Sequence, residues 1–545
     1  MFVKFLLFLG KIIFLMKKIT PLLFLLLGLI ANANETIVLN TDMYGIDHNK
    51  KLIVSNNSVE NINTIYPNIK TIILLDVNYT FSVPVQTIEI GTPYSVIHSG
   101  NSQIYTLYFT ELPLIHIATP HTIVDTPKVW ASFRLTESNG NSVSSDIGIE
   151  YRGGWSQTLV KKSMEIEFWE DNTGTETVDY SLLGMRWDDD WNLQAMFNEP
   201  LRFLSKTNND LWRLFHTAYY INNEPDAVNG ITMKYSEMFL NGEYRGIYAV
   251  SEKIDRKQLK LKKHNGNIRG ELYKGDQWAN GAVTFNWVGP YDNNYDVWDG
   301  FEYKHPKEEI SWSNLYNLVD FVKNGTNTDF YSQYQNKFHL DNLVDYYIFL
   351  NVLRATDNTG KNLYIAKYNT NEPYFYVPWD LDGTFGIIWH GGQENITTGL
   401  LNNKLYNRLW LDCSENGFRE KLQARWNSVK QTIFNHDFLM DMFDESYSYL
   451  LQNGVYPREE IAWQGYETEY YHLDYMSDWI TNRLAYLDTK FNEECTANVL
   501  GFSENYIKVY PNPTSDYLYF NSSENQSFFV SVYDVQGKIL LEKQI

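Results

Sequence analysis

The pattern of apolar residues changes along the chain and divides it into zones. Between residues 34 and 111, Ile, Val, Thr and Tyr recur in short runs separated by Asn, Asp and Gly, which predicts strands such as 71–77 and 103–109. No long helical period appears in this zone. We therefore expect a small β-rich N-terminal domain that acts as a spacer or packing module.

The next zone, residues 112–490, begins rich in strands and ends rich in helices. Alternating apolar residues predict strands over 129–136, 148–152 and 162–169. The Asn241-Gly242 pair between two apolar runs predicts a tight β-hairpin. Helical spacing appears in four later segments, which are 200–220, 340–354, 418–434 and 477–491. This zone is therefore expected to be an α+β domain.

The chain after Cys495 returns to short strands and turns. This pattern predicts a small C-terminal β-sandwich over residues 503–545. The length of 545 residues is too great for a single hydrophobic core, which agrees with several domains.

The N-terminus has the features of an export signal. Met16-Lys17-Lys18 precedes an apolar run over 21–30, and Ala31-Asn32-Ala33 supplies the small residues that a signal peptidase reads. We expect residues 1–33 to be removed by cleavage near Ala33, with translation starting at Met16. The alternative is a membrane anchor across both apolar runs, although lysines interrupt it. No later segment is apolar enough to predict a transmembrane helix in the mature chain.

Charge and cysteine content exclude some classes of protein. The formal net charge of −21 argues against nucleic-acid binding, which requires basic surfaces. Two cysteines, Cys413 and Cys495, are too few for a disulfide-rich scaffold. A single bridge and two buried thiols both remain open.

A set of polar residues over 340–386 has the order that phosphoryl transfer uses. Asp357 and Asn362 lie five residues apart after a predicted helix, and a predicted hairpin then leads to Asp380 and Asp382. In this arrangement Asp357 orients an acceptor hydroxyl and takes its proton, while Asn362 and Asp380 bind Mg²⁺. If the strand continues, Asp380 and Asp382 point to the same face and both can bind the metal. The alternative is that these are ordinary loop and turn residues.

Candidate nucleotide contacts lie upstream. Arg152 begins a glycine-containing turn, which lets backbone amides approach phosphates. Alternation from Lys162 to Phe168 directs Lys162 inward beside this turn and leaves Lys161 solvated. We expect Arg152 and Lys162 to contact the nucleotide, and the alternative is two surface lysines at a strand start.

Two glutamates complete the predicted site. Glu199, which precedes the helical pattern over 200–220, is the candidate partner of the inward lysine. The backbone near Glu252 follows the predicted hairpin and is expected beside the adenine. A surface ion-pair run is an equally open interpretation of the segment around Glu252.

These segments resemble the CotH family, the spore-coat protein H kinases and their relatives. The matching segments are Tyr151-Arg152-Gly153-Gly154-Trp155-Ser156, Val160-Lys161-Lys162-Ser163, Leu240-Asn241-Gly242-Glu243-Tyr244-Arg245-Gly246-Ile247-Tyr248, Ser251-Glu252-Lys253-Ile254-Asp255 and Val377-Pro378-Trp379-Asp380-Leu381-Asp382-Gly383-Thr384-Phe385-Gly386. The resemblance implies an atypical, two-lobed kinase-like core that binds ATP with Mg²⁺ or Mn²⁺ and phosphorylates protein serines or threonines. It implies that Asp357 is the catalytic aspartate and Asp380 the metal-binding one. The Gly153-Gly154 pair and Leu159-Val160 depart from the commoner family pattern.

The tail resembles the C-terminal sorting domain of type IX secretion substrates. The matching residues are Val509-Tyr510-Pro511-Asn512-Pro513-Thr514 and Val532-Tyr533-Asp534-Val535-Gln536-Gly537-Lys538. The resemblance implies export by the type IX machinery to the medium or to the outer-membrane surface. The chain ends at Ile545, before the last strands usual in such domains, so we expect a truncated or degenerate tail.

Three functions follow from these features. The first is an exported CotH-like Ser/Thr protein kinase that uses ATP and acts on an unknown protein substrate. The second is a non-catalytic surface adhesin or ligand-binding protein with the same fold, since some family members are described as adhesins. The third is a glycan-active enzyme with Asp380 and Asp382 as acid and base, which would leave Asp357, Asn362 and Lys162 unexplained.

Overall fold

The computed structural model describes most of the chain after the N-terminal segment. The described residues are 34–277, 280–466, 471–495, 508–510, 519–521, 529–533 and 539–544. The predicted signal peptide, with the start at Met16 and cleavage near Ala33, lies outside them. The chain divides into two compact units, one up to Glu493 and the other from Glu494 onward.

A seven-stranded sheet opens the first unit. Its strands are β1 (Glu35–Val38), β2 (Tyr44–Asp47), β3 (Leu52–Ser55), β4 (Lys70–Leu74), β5 (Asn78–Val85), β6 (Tyr94–His98) and β7 (Ile104–Phe109). Their spatial order is β1-β4-β5-β6-β7-β3-β2. A short helix, α1 (Val59–Ile65), begins after Ser58, whose hydroxyl accepts a hydrogen bond from the Asn61 amide. The prediction of a β-rich segment is confirmed.

A closed β-barrel follows. Its strands are β8 (Leu114–Ala118), β9 (Val129–Thr136), β10 (Ser142–Tyr151), β11 (Met164–Trp169), β14 (Asp190–Gln194), β15 (Met233–Leu240) and β16 (Glu243–Ser251), and a separate short pair comprises β12 (Tyr180–Ser181) and β13 (Trp187–Asp188). Alternate residues of these strands, such as Ile147, Ile166 and Trp191, are fully buried inside the barrel. The hairpin of β15 and β16 turns at Asn241-Gly242, where both residues have positive φ, as predicted.

The helical part surrounds a second sheet. The five strands are β17 (Glu271–Asp276), β18 (Val297–Trp298), β19 (Phe301–His305), β20 (Lys361–Lys367) and β21 (Tyr374–Pro378), in the order β18-β19-β17-β20-β21. The helices are α2 (Leu204–Phe215), α3 (Arg256–Leu259), α4 (Ser313–Asn324), α5 (Asn327–Lys337), α6 (Leu340–Leu353), α7 (Lys404–Leu409), α8 (Phe418–Val429), α9 (His436–Gln452), α10 (Val455–Ala462) and α11 (Tyr471–Phe491). The α+β class is therefore confirmed.

The helix predicted over 200–220 is shorter than its apolar pattern suggests. It forms only over Leu204–Phe215, because Arg202 before it adopts a positive φ of 59°. The residues that precede it form a turn, and this turn contributes to the site described below.

In the second unit the described residues form two antiparallel strand pairs. These are β22 (Lys508–Tyr510) with β23 (Tyr519–Asn521), and β24 (Phe529–Tyr533) with β25 (Ile539–Gln544). The strand content agrees with the sequence, and the β-sandwich stays a prediction.

The structure also bears on the state of the two cysteines and on membrane-spanning helices. Neither Cys413 nor Cys495 is a free thiol. Among the described helices, none combines the length and apolar character that a bilayer span requires.

Candidate functional site

The loop after α6 holds Asp357. The helix ends at Arg354, which adopts a left-handed conformation, and residues Thr356–Thr359 form one 3₁₀ turn. The Nδ2 atom of the buried Asn358 donates hydrogen bonds to the carbonyl oxygens of Asn362 at 2.5 Å and Trp379 at 2.8 Å. Asn358 therefore fixes the Asp357 turn against the two strands that follow it.

Asn362 lies beside the acidic loop. It is only 9% exposed and has a positive φ of 55°, and its carbonyl accepts a hydrogen bond of 2.9 Å from the Trp379 amide. The pairing of β20 with β21 thus places Asn362 opposite the residue that precedes Asp380.

Asp380 and Asp382 do not continue the strand. Strand β21 ends at Pro378, and Asp380 is exposed with a positive φ of 54°. The expectation that strand alternation directs both acids to one face is therefore wrong. Asp382 is half-buried, and its Oδ2 atom accepts a hydrogen bond of 2.6 Å from the Nδ2 atom of Asn198.

The acids nevertheless lie within electrostatic reach of one another. Burial raises the pKa of Asp382 well above its usual value, and the negative charges of Asp380, Glu199 and Asp357 raise it further. Burial also raises the pKa of Asp357; Lys361 opposes this shift and Asp380 adds to it. Carboxylates are ligands that a hard divalent cation prefers. Among the described residues, however, the group of three acids whose oxygens all lie within 4.8 Å of one another is Asp179, Asp188 and Asp189, away from this loop.

Helix α2 and helix α11 support the acidic loop from behind. The buried Asn208 donates hydrogen bonds of 2.8 Å to the Leu381 carbonyl and to the Thr384 hydroxyl. Gly386 has a positive φ of 80°, and a Cβ atom there would lie 2.6 Å from Trp479. These contacts explain why the segment after Asp382 requires Gly386.

Arg152 approaches the acidic loop from the barrel. It follows β10, and its Nη1 atom donates a hydrogen bond of 2.7 Å to Gln194. Its guanidinium carbon lies 5.5 Å from the centre of the Trp379 ring, a cation–π contact. The structure thus places a permanent positive charge next to the residue that precedes Asp380.

The two lysines are oriented opposite to the prediction. Lys161 is fully buried, with its Nζ atom 2.9 Å from Glu459 Oε1 and 2.6 Å from the Ile247 carbonyl. Lys162 is half-buried and donates hydrogen bonds to the carbonyls of Leu159, at 2.8 Å, and Gln157. The alternation failed because β11 begins only at Met164, so the lysines belong to the preceding turn.

Glu459, not Glu199, is the carboxylate that pairs with the buried lysine. Its Oε2 atom accepts a hydrogen bond of 2.9 Å from Arg202 Nε, and its Oε1 atom accepts one of 2.7 Å from the Ile247 amide. Glu199 instead accepts hydrogen bonds from the amide and hydroxyl of Ser205, and burial raises its pKa to about 7. Sequence reasoning missed Glu459 because 298 residues separate it from Lys161.

The turn that carries Asn198 is also fixed by Arg202. The Nη1 atom of Arg202 donates to the carbonyls of Met196, Phe197 and Glu199 at 2.9, 2.6 and 2.7 Å. The buried Lys161–Glu459–Arg202 cluster therefore connects, through this turn, to the hydrogen bond on Asp382.

Glu252 lies at a different place. It is buried, and its Oε2 atom accepts hydrogen bonds from the Thr232 amide at 2.7 Å and from Gln258 Nε2 at 2.8 Å. It lines a cavity of about 610 Å³ together with Arg186. Among the described residues, none of the acids Asp357, Asp380 and Asp382 lines this cavity. The structure therefore does not bring the Glu252 side chain to the acidic loop.

Comparison with known proteins matches two parts of the chain. The family model described as CotH kinase protein matches residues 149–487, and the secretion system C-terminal sorting domain matches residues 508–545. A search of curated proteins found no match. Both resemblances drawn from the sequence are confirmed, and the sorting domain indicates secretion to the cell surface or outer membrane.

Proposed function

The chain belongs to the CotH kinase protein family, and from this membership we propose that it is an exported kinase that transfers the γ-phosphate of ATP to Ser or Thr hydroxyls of a protein. The observation that carries the proposal is the repulsion among three acids from two loops: the charge of Asp380 raises the pKa of Asp357, and the charges of Asp380 and Asp357 raise the pKa of Asp382. A site of this kind is stabilised by a divalent cation.

In this proposal the acids have separate roles. Asp380, Asp382 and Asn362 hold Mg²⁺ or Mn²⁺, which supplies positive charge to the phosphates of the nucleotide. Asp357 orients the acceptor hydroxyl and receives its proton. Burial raises the pKa of Asp357, which makes its carboxylate a stronger base than an ordinary aspartate.

In this proposal Arg152 contacts the phosphates. Its guanidinium lies against Trp379, the residue before Asp380, so it approaches the acidic loop from the barrel side. Lys162 would contribute only after it releases the carbonyls of Leu159 and Gln157. The barrel and the helical part would form the two lobes, with ATP between them and the Glu252 backbone beside the adenine.

The secretion signals set where the reaction takes place. The sorting domain indicates the secretion machinery as a partner. We place the mature protein outside the cell or on the outer-membrane surface, after cleavage near Ala33, with a protein as its substrate.

One observation favours the non-catalytic alternative. Both lysines of the glycine turn are engaged, Lys161 by Glu459 and Lys162 by carbonyls of its own turn. A surface adhesin or ligand-binding protein on the same fold would have no need of a free lysine.

Nucleotide binding tests the proposal. ATP affinity is measured with and without Mg²⁺ for the mature chain, for Asp380→Asn and for Asp478→Asn, a matched change on the exposed face of α11. We expect Mg²⁺-dependent binding in the wild type and in Asp478→Asn, and a loss of the Mg²⁺ dependence in Asp380→Asn. Absence of ATP binding by the wild type would support the adhesin alternative.

A further inference from the structure

A second cavity lies behind the acidic loop, in the first unit. Its volume is about 570 Å³, and its walls include helix α2, helix α9, strand β15 and the segment between the N-terminal sheet and the barrel. None of the site residues predicted from the sequence lines it, as far as the described residues show.

The charged groups of this cavity leave an excess of negative charge. Lys206 and Asp210 form an ion pair with each other at 2.6 Å. Glu111, Glu137, Glu445 and the exposed Lys234 also line the cavity, so its four carboxylates exceed its two ammonium groups by two negative charges. A positively charged ligand would be attracted by this excess of negative charge.

Aromatic rings add a second feature that suits a cation. Tyr235 is 6% exposed and lines the cavity, as do the hydroxyls of Ser446 and Thr207, which lie 3.0 Å apart. The ammonium of Lys206 already lies 5.5 Å from the centre of the Tyr235 ring. Tyr449 lies nearly parallel to Tyr235, with 6.4 Å between the ring centres.

Two walls of the cavity also hold the acidic loop. On helix α2, Thr207 lines the cavity and the next residue, Asn208, binds the Leu381 carbonyl and the Thr384 hydroxyl. On helix α9, Met442 lines the cavity and Phe443 packs edge-on against Phe385, with 5.0 Å between the ring centres. A ligand that displaces either helix therefore displaces the loop of Asp380 and Asp382.

We propose that this cavity binds an organic cation with an apolar stem, such as an alkylammonium group, and that its occupancy changes the affinity of the acidic loop for Mg²⁺–nucleotide. The carboxylates bind the charged ends, and Pro113, Leu183 and Met442 contact the stem. The effect on Mg²⁺–nucleotide affinity rests on the proposed function, whereas the binding of the organic cation does not.

Binding is tested with a probe of defined chemistry. The mature chain is titrated calorimetrically with 1,8-diaminooctane, and uncharged 1,8-octanediol serves as the matched control. We expect saturable binding of the diamine alone, weakened about tenfold in Glu111→Gln/Glu445→Gln. The exposed Glu60→Gln, on α1, is expected to bind as the wild type does. Absence of saturable binding, or equal binding by the double variant, overturns the proposal.

Coupling is tested separately. ATP affinity in Mg²⁺ is measured with and without saturating diamine, and diamine affinity with and without Mg²⁺–ATP. Linkage requires the same fold-change in both directions, and we expect at least threefold. Unchanged affinities overturn the coupling and leave the cavity as a binding site. Failure of the wild type to bind ATP overturns the proposed function instead, and the diamine titration still decides whether the cavity binds the organic cation.

Discussion

Asn198 donates a hydrogen bond of 2.6 Å to Asp382, although 184 residues separate them along the chain. The same amide nitrogen donates to the Trp389 carbonyl at 2.7 Å, so Asn198 joins the acidic residue to the loop that follows it. The orientation of Asp382 thus depends on a turn from another part of the chain.

Loss of the Asn198 amide should weaken metal binding. In Asn198→Ala the Asp382 carboxylate loses the donor that orients it, and we expect about tenfold weaker Mg²⁺ binding in the presence of ATP. The measurement is a Mg²⁺ titration of ATP binding. Asn482→Ala, on α11 away from the acids, is the matched control and should leave the affinity unchanged. Equal Mg²⁺ affinity in both variants would contradict the role of Asn198.

The raised pKa of Asp382 predicts a pH dependence of stability without metal. A carboxyl group whose pKa is higher in the folded chain than in the unfolded one destabilises the fold as pH rises above its ordinary value, near 4. Asp382→Asn removes this penalty, so in EDTA its Tm should exceed the wild-type Tm by more at pH 7.5 than at pH 4. If the Tm difference between the variant and the wild type were the same at both pH values, folding would not raise the pKa of Asp382.

Gly246 should tolerate no side chain. A Cβ atom there would lie 1.8 Å from Glu459 Oε1, and Glu459 is held by a buried ion pair. We expect Gly246→Ala to lower the free energy of unfolding by about 3 kcal/mol, from a strained positive φ and a disturbed ion pair. Gly242→Ala is the control, because Gly242 also has a positive φ but has nothing within 4 Å of its Cβ position. The measurement is denaturant unfolding of both variants. Equal losses of unfolding free energy in Gly246→Ala and Gly242→Ala would refute the close contact at Gly246.

The two adjacent lysines should differ strongly in their contribution to stability. Lys161→Met leaves Glu459 buried without one of its counterions, and we expect a loss of about 3 kcal/mol. Lys162→Met removes hydrogen bonds and a cation–π contact with Tyr151 from a half-buried ammonium, at a cost of about 1 kcal/mol. The measurement is urea unfolding of each variant. A larger loss of unfolding free energy in Lys162→Met than in Lys161→Met would support the arrangement predicted from the sequence, with Lys162 inward and Lys161 solvated.

Local order along the chain was predictable, because it depends on neighbouring residues. The hairpin at Asn241-Gly242, strand β9 and helix α6 lie where the apolar pattern places them. The succession of Asp357, hairpin and Asp380 was also visible, since short connections keep these segments adjacent.

What the sequence did not reveal are contacts between distant segments and single backbone conformations. Glu459, Asn198 and Asn358 act through long-range partners or buried carbonyls that no periodicity marks. Asp380 left the predicted strand because of one positive φ angle, which residue type alone does not indicate for aspartate.

The Lys161–Glu459 pair limits how the protein can be divided. Glu459 lies on α10, so a fragment that stops after the five-stranded sheet would leave the buried ammonium of Lys161 without its counterion. Domain-truncation experiments that aim to isolate the strand-rich half must therefore retain α10 or replace Lys161 with an apolar residue.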